Sequence, residues 1–248
     1  KMLDGMFAIG LYDKKRKNLY LIRDFAGIKP LYYGFNKKKL VFASQYDQIA
    51  KHPSFNNNSI DPQVLKLYFS QHFMPAPYGL LDNTYQIMPG EIVTFDLRGI
   101  KKHDRYWELP NNNIHSINDS KIALQYIGEC LNDAVKAELI SDVPVSAFLS
   151  GGVDSPLICY YAQNNLDTTL KAVSIGSNSI VHDETDRANN YAKLIGVNHT
   201  NVPIDGKFTL DMLSKIIKSI REPFADISLI PTYIASKIAK ENASVVIS

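Results

Sequence analysis

The sequence predicts an antiparallel α+β half followed by an α/β half built on a parallel sheet. Three observations carry this reading. Short alternating apolar runs, divided by turn residues, fill the chain before Glu108; apolar residues recur at helical spacing from Ile122; and beyond Val145 strand-like and helix-like segments take turns.

In chain order, strands are expected at Met6–Tyr12, Leu19–Arg23, Leu31–Phe35, Leu40–Ala43 and Glu91–Leu97, divided by "DKKRKN", "FAGIKP", "NKKK" and "RGI". Short helices are expected at Gln45–Lys51 and Asp61–Ser70. Asp61-Pro62 opens the second with an N-cap residue and then proline, whose missing N–H costs nothing in a first turn. The polar, asparagine-rich "ELPNNNIHSINDS", Glu108 to Ser120, reads as a linker, which divides the chain into domains 1–115 and 116–248. Ile122, Tyr126, Ile127, Cys130, Leu131, Ala134 and Val135 then form one helical stripe. Strands at Val145–Leu149, Ala172–Ile175, Val202–Ile204 and Val245–Ile247 alternate with helices from Pro156, from Asp183, near Phe208–Ile220 and near Ile230–Lys240.

Composition excludes several classes of partner. With 27 basic and 25 acidic residues among 248, the net charge is +2, so no field draws nucleic acid or a membrane surface. The lysines at Lys37 to Lys39 and at Lys101–Lys102 read as solvated strand ends. No run of about 18 apolar residues suits a membrane span, and no signal-peptide layout opens the chain. Cys130 and Cys159 fall in apolar helical patterns without ligand spacing and read as buried, reduced thiols of a cytoplasmic protein. The chain starts inside "GMFAIGLYD" and stops at "SVVIS", both strand-like. Strands at both ends leave edges unpaired, and the expectation is a piece of a longer protein.

The stretch "VSAFLSGGVDSPLICYYAQ", Val145 to Gln163, holds the candidate site. A strand runs into Ser-Gly-Gly-Val-Asp-Ser and a helix follows at once, at the carboxyl end of a parallel strand where such sheets bind ligands. Successive N–H groups at a helix N-terminus suit an anion. Gly151 and Gly152 let the backbone approach phosphate oxygens and permit positive φ. Ser150 and Ser155 add hydroxyls. No Gly-Lys-Ser/Thr is present, which excludes the P-loop. Asp154, a carboxylate among phosphates, fits a magnesium ligand; the competing reading is that Asp154 or Ser155 merely caps the helix.

"SDVPVSAFLSGGVDS" resembles the pyrophosphate loop of the glutamine-hydrolysing asparagine synthetase family, and the likeness runs on through "LDGMFAIGLYD", "LIRDFAGIKPLYYG", "MPAPYGLLDNTYQIMPGEIVTFDLRG", "AVSIG", "REPFADISLIPTYIASKIAKE" and "VVIS". The resemblance implies an α+β antiparallel N-terminal-nucleophile-type glutaminase remnant followed by an α/β parallel-sheet ATP pyrophosphatase domain. It also implies the substrates ATP, glutamine and aspartate, with magnesium: a carboxylate attacks the α-phosphorus, pyrophosphate leaves, and glutamine-derived ammonia displaces AMP. A related adenylating synthetase with another acceptor, or a non-catalytic nucleotide-binding relative, stays open beside it, and a homodimer is compatible with each. By matching position, Leu149, Ser150, Gly151, Gly152, Asp154, Ser155, Ile175 and Ser248 would bind ATP, with Asp154 on the metal.

No catalytic residue falls within the chain on this reading. Family members carry a catalytic cysteine at mature position one, where Lys1 stands, and a catalytic acidic loop after the position of Ser248. The family usually has Ser or Thr where Pro156 stands, so one phosphate-binding N–H is missing. "HDETD", His182 to Asp186, reads as a helix cap through Asp183 and Asp186 rather than as a metal cluster, although the resemblance implies an acidic pair here near ATP. Glu222, Asp226 and Ser228 read either as caps or as part of the synthetase pocket. His199 reads as structural, and Arg23, Asp24, Gly27 and Pro30 as a hairpin-like turn.

Overall fold

The computed structural model describes residues 3–36, 39–110, 117–177, 184–204, 210–226 and 228–248. These belong to two units: Lys1–Ile114 with Lys218–Asp226, and His115–Ile217 with Ile227–Ser248.

The first unit comprises β1 (Ala8–Asp13), β2 (Asn18–Arg23), β3 (Tyr32–Asn36), β4 (Lys39–Ala43), α1 (Tyr46–Ala50), α2 (Pro62–Gln71), β5 (Thr84–Gln86), β6 (Glu91–Asp96) and β7 (Gly99–Arg105). They make two antiparallel sheets, ordered β1-β2-β6-β7 and β4-β3-β5. Alternation along β3 explains how its sheet is covered on both sides. Tyr33 joins Leu21, Val93 and Phe95 of the other sheet in one core cluster, while its neighbour Tyr32 faces Tyr46, Ile49 and Phe55 in a second. Asp61 caps α2 by accepting from Gln63 N–H at 2.8 Å and Val64 N–H at 3.3 Å, with Pro62 at the first helical position. The expected turn at Arg23 to Pro30 is pinned by charge. Arg23 donates to the carbonyls of Lys29, Ile87 and Gly27, and the buried Asp24 accepts from the N–H groups of Ile28 and Lys29 at 2.9 Å.

The second unit comprises α3 (Ser120–Glu138), β8 (Val145–Phe148), α4 (Asp154–Asn165), β9 (Lys171–Ser177), α5 (Thr185–Ile195), β10 (Asn198–Ile204), α6 (Leu210–Ser219), α7 (Leu229–Asn242) and β11 (Val245–Ile247). Its sheet is parallel throughout, ordered β10-β9-β8-β11. From β8 the chain winds outward through β9 to β10, then returns to place β11 on the other side of β8. The order therefore reverses at β8/β11, and a crevice opens beyond the carboxyl ends of those two strands. Val135, Ala147, Leu149, Cys159 and Ala172 lie in the core between sheet and helices.

Two expectations need correction. Cys130 is exposed, and so are Ile122, Tyr126 and Ile127 of the same helical stripe; along α3 only Val135 is buried. Gly151 and Gly152 do not use the left-handed region, which the described glycines Gly5, Gly27, Gly90, Gly99 and Gly196 do. No helix among the described residues is long and apolar enough to cross a membrane.

Candidate functional site

The site begins where β8 ends. Leu149 N–H bonds to the Val173 carbonyl at 2.9 Å, which carries the β8–β9 pairing one residue further and fixes the start of the glycine loop. The Leu149 carbonyl in turn accepts from the Ser174 hydroxyl at 2.5 Å. Past this point the loop closes on itself. Ser155 Oγ accepts from Ser150 N–H at 2.8 Å and meets Ser150 Oγ at 2.9 Å, and Ser150 Oγ accepts from Gly152 N–H at 3.2 Å. Gly151 N–H donates to the Glu184 carboxylate at 2.9 Å. The N–H groups of Ser150, Gly151 and Gly152 are thus all held by side-chain oxygens.

Helix α4 opens at Asp154 with Val153 as N-cap and no capping side chain. Ser155 folds back onto the loop instead, and the Asp154 carboxylate forms no hydrogen bond or ion pair with the described residues, so neither residue caps the helix. Gly151 is needed for a close approach. A Cβ there would stand 2.8 Å from Glu184 Cβ and 3.0 Å from Arg187 Cβ, at the start of α5. Gly152 has more room, with Ser150 Oγ the nearest neighbour at 3.4 Å.

Beside the loop lies a cavity of about 440 Å³ at the switch in strand order. Leu149, Ser150, Ser155, Ile175 and Ser248 line it, drawn from the end of β8, the first turn of α4, β9 and the end of β11. Gly151 and Gly152 lie in the adjoining loop and Asp154 at the head of α4, all three outside that lining. Sequence reasoning missed Ser174 and a face of α7, Pro231, Thr232 and Ala235, and did not single out Glu184 within "HDETD"; all of these line the cavity. The i, i+1, i+4 spacing of the last three marks one helix face. Only the strand order aims that face at the site.

The other candidates fall elsewhere. Glu222 accepts from the Tyr32 hydroxyl at 2.5 Å within the first unit, where Arg221 also pairs with Asp47 at 3.4 Å and Asp226 is grouped. Ser228 is the N-cap residue of α7, in the second unit, without a side-chain cap bond. None of the three lines the cavity. His182 and Asp183 lie outside the described residues, and Asp186 sits in the first turn of α5. Burial, then the bond to Glu222 and its charge, push the Tyr32 hydroxyl pKa far up. Burial pushes the Cys159 thiol up to about 12 and holds His199 below its ordinary value.

Among the described residues no three His, Cys, Asp or Glu side chains converge as a metal cluster. A magnesium ion bound through one carboxylate and substrate phosphates needs no such cluster. An exposed, uncommitted Asp154 at the head of α4 fits that donor set.

Comparison with known proteins gives two family matches. A glutamine amidotransferase domain model matches residues 1–107, and an asparagine synthase model matches residues 127–248. A putative glutamine-hydrolysing asparagine synthetase 2 of Methanocaldococcus jannaschii is 33% identical over 252 residues, covering 100% of this chain and 48% of that protein. Glutamine-hydrolysing asparagine synthetase 1 of Bacillus subtilis is 31% identical over 246 residues, covering 99% of this chain and 38% of its own length. The chain therefore spans about half the length of the first relative and less of the second.

Proposed function

The chain belongs to the asparagine synthetase family, and on that footing we propose that its second unit carries the ATP site of a glutamine-dependent amidotransferase. The cavity at the β8/β11 switch supports this reading most directly, because it gathers Leu149, Ser150, Ile175 and Ser248 from three strands and Ser155 from the first turn of α4. Leu149 and Ile175 offer an apolar seat for adenosine. The N–H groups and hydroxyls of residues 150–155 offer donors to the β- and γ-phosphates.

In this proposal an aspartate carboxylate attacks the α-phosphorus of ATP, pyrophosphate leaves, and ammonia from glutamine displaces AMP. Fixed donors around the leaving pyrophosphate lower the barrier because negative charge grows there. Magnesium held between Asp154 and the phosphates would neutralise part of that charge. On this reading residues 1–115 are the glutaminase-type half, with Lys218–Asp226 packed into the same unit, and the remainder of 116–248 is the synthetase-type half.

Calorimetric titration of the chain with magnesium-ATP tests the site. Measurable affinity is expected, reduced at least tenfold in Ile175→Asp and losing its magnesium dependence in Asp154→Asn. The full-length protein should convert ATP to AMP and pyrophosphate when supplied with aspartate and glutamine. Formation of ADP and orthophosphate instead would overturn the assignment.

A further inference from the structure

We propose that Glu184 is an internal competitor for the phosphate seat of the glycine loop. This rests on reading the cavity as a nucleotide site. Gly151 has a single N–H, and the Glu184 carboxylate holds it at 2.9 Å, the place a phosphate oxygen would take. A bond from an N–H to a carboxylate is charge-assisted and stronger than its neutral counterparts in the same loop, the Ser150–Ser155 and Gly152–Ser150 contacts. A phosphate arriving at Gly151 therefore displaces a negative charge from its donor and is repelled by it until it moves.

The surroundings allow that movement. The Glu184 backbone is committed to α5, its carbonyl accepting from Ala188 N–H at 2.9 Å, so the helix start stays in place while the side chain leaves. Glu184 is exposed and also lines the cavity, which gives its carboxylate water to turn into. The absence of a Cβ at Gly151 is what lets Glu184 and Arg187 come so near. Glu184 thus sets a threshold: a ligand must repay the broken bond with other contacts. A nucleoside triphosphate, with a base in the apolar part of the cavity, can do so. A lone orthophosphate cannot.

The test is calorimetric binding of pyrophosphate, magnesium-ATP and adenosine to the 248-residue chain and to its Glu184→Gln and Glu184→Ala variants. Both variants should bind pyrophosphate and ATP about tenfold more tightly, equivalent to about 1.4 kcal/mol, and adenosine equally well. Unchanged or weaker pyrophosphate binding would overturn the proposal, and if adenosine still binds, the nucleotide reading stands without it. Failure of all three ligands with every form would overturn both. A measurement free of substitutions accompanies this one. The Glu184 carboxyl carbon resonance of the unsubstituted chain should shift when pyrophosphate is added and stay put with adenosine, and a resonance unmoved by saturating pyrophosphate would also overturn the proposal.

Discussion

Ser174 and His199 meet at 2.6 Å, hydroxyl to Nε2, while the same hydroxyl reaches the Leu149 carbonyl at 2.5 Å. A serine hydroxyl has one proton and a carbonyl can only accept, so the proton goes to Leu149 and Nε2 must be the donor to Ser174. His199 is therefore expected as the Nε2–H tautomer, which long-range proton–nitrogen NMR correlations will read. Ser174→Ala leaves the carbonyl and the imidazole N–H without this partner and should cost about 1–3 kcal/mol in urea unfolding.

The same histidine gives a pH dependence with a definite sign. Burial lowers its folded pKa, so the unfolded chain takes up the proton first as pH falls. The His199 contribution is whole above the unfolded value of about 6.5 and is lost as pH drops through the lower folded value. Urea midpoints should fall between about pH 7 and pH 5, and His199→Gln should flatten that part of the profile.

Gly151 and Gly152 should differ sharply when replaced by alanine. At Gly151 the new methyl would meet Cβ atoms of Glu184 and Arg187 at 2.8 and 3.0 Å, so loop and helix must part. Overpacking of this kind costs about 1–3 kcal/mol, and ATP affinity should fall about tenfold. At Gly152 the nearest atom is a serine oxygen at 3.4 Å, an ordinary contact, and affinity should change less than twofold. Equal losses in the two variants would contradict the close-approach account.

Tyr32→Phe should destabilise the first unit by about 1.5–3 kcal/mol, the range for a hydrogen bond to a charged group. The substitution removes both the bond to Glu222 and the one accepted from Gln86. Nucleotide affinity should not move, because neither Tyr32 nor Glu222 lines the cavity. A lowered urea midpoint with unaltered ATP titration is the expected pair of results.

The two thiols should separate cleanly in reaction with a disulfide reagent. Cys130 is exposed and should react within minutes in the folded chain. Cys159 is buried, with its thiol pushed up to about 12, so little thiolate forms at neutral pH and it should react only after unfolding.

What the sequence disclosed was mostly what is local. Asp61-Pro62 marked a helix start because cap and proline act within one turn, and the glycine loop was legible because strand, turn and helix follow one another within twenty residues. Strand β5 escaped because three residues carry no period. Strand β7, "GIKKHDR", escaped because an edge strand rich in charge looks like a turn. The α3 stripe showed which side chains share a face and could not show whether anything covers it. Ser174, Glu184 and Pro231 reach the site from separate elements, and Glu222 finds its partner 190 residues away. Such neighbours follow from sheet order and chain return, which no short window of sequence contains.

The return of Lys218–Asp226 to the first unit has a consequence for synthesis on the ribosome. Until residue 226 has emerged, Asp47 lacks Arg221, Tyr32 lacks Glu222, and His72–Phe73 lacks the backbone contacts of Phe224 and Ala225. The amino-terminal half therefore cannot mature in the order in which it is made. It must wait, partly assembled, while most of the second half is translated. A chain cut after Ile114 would hold a first unit that is missing a piece of itself.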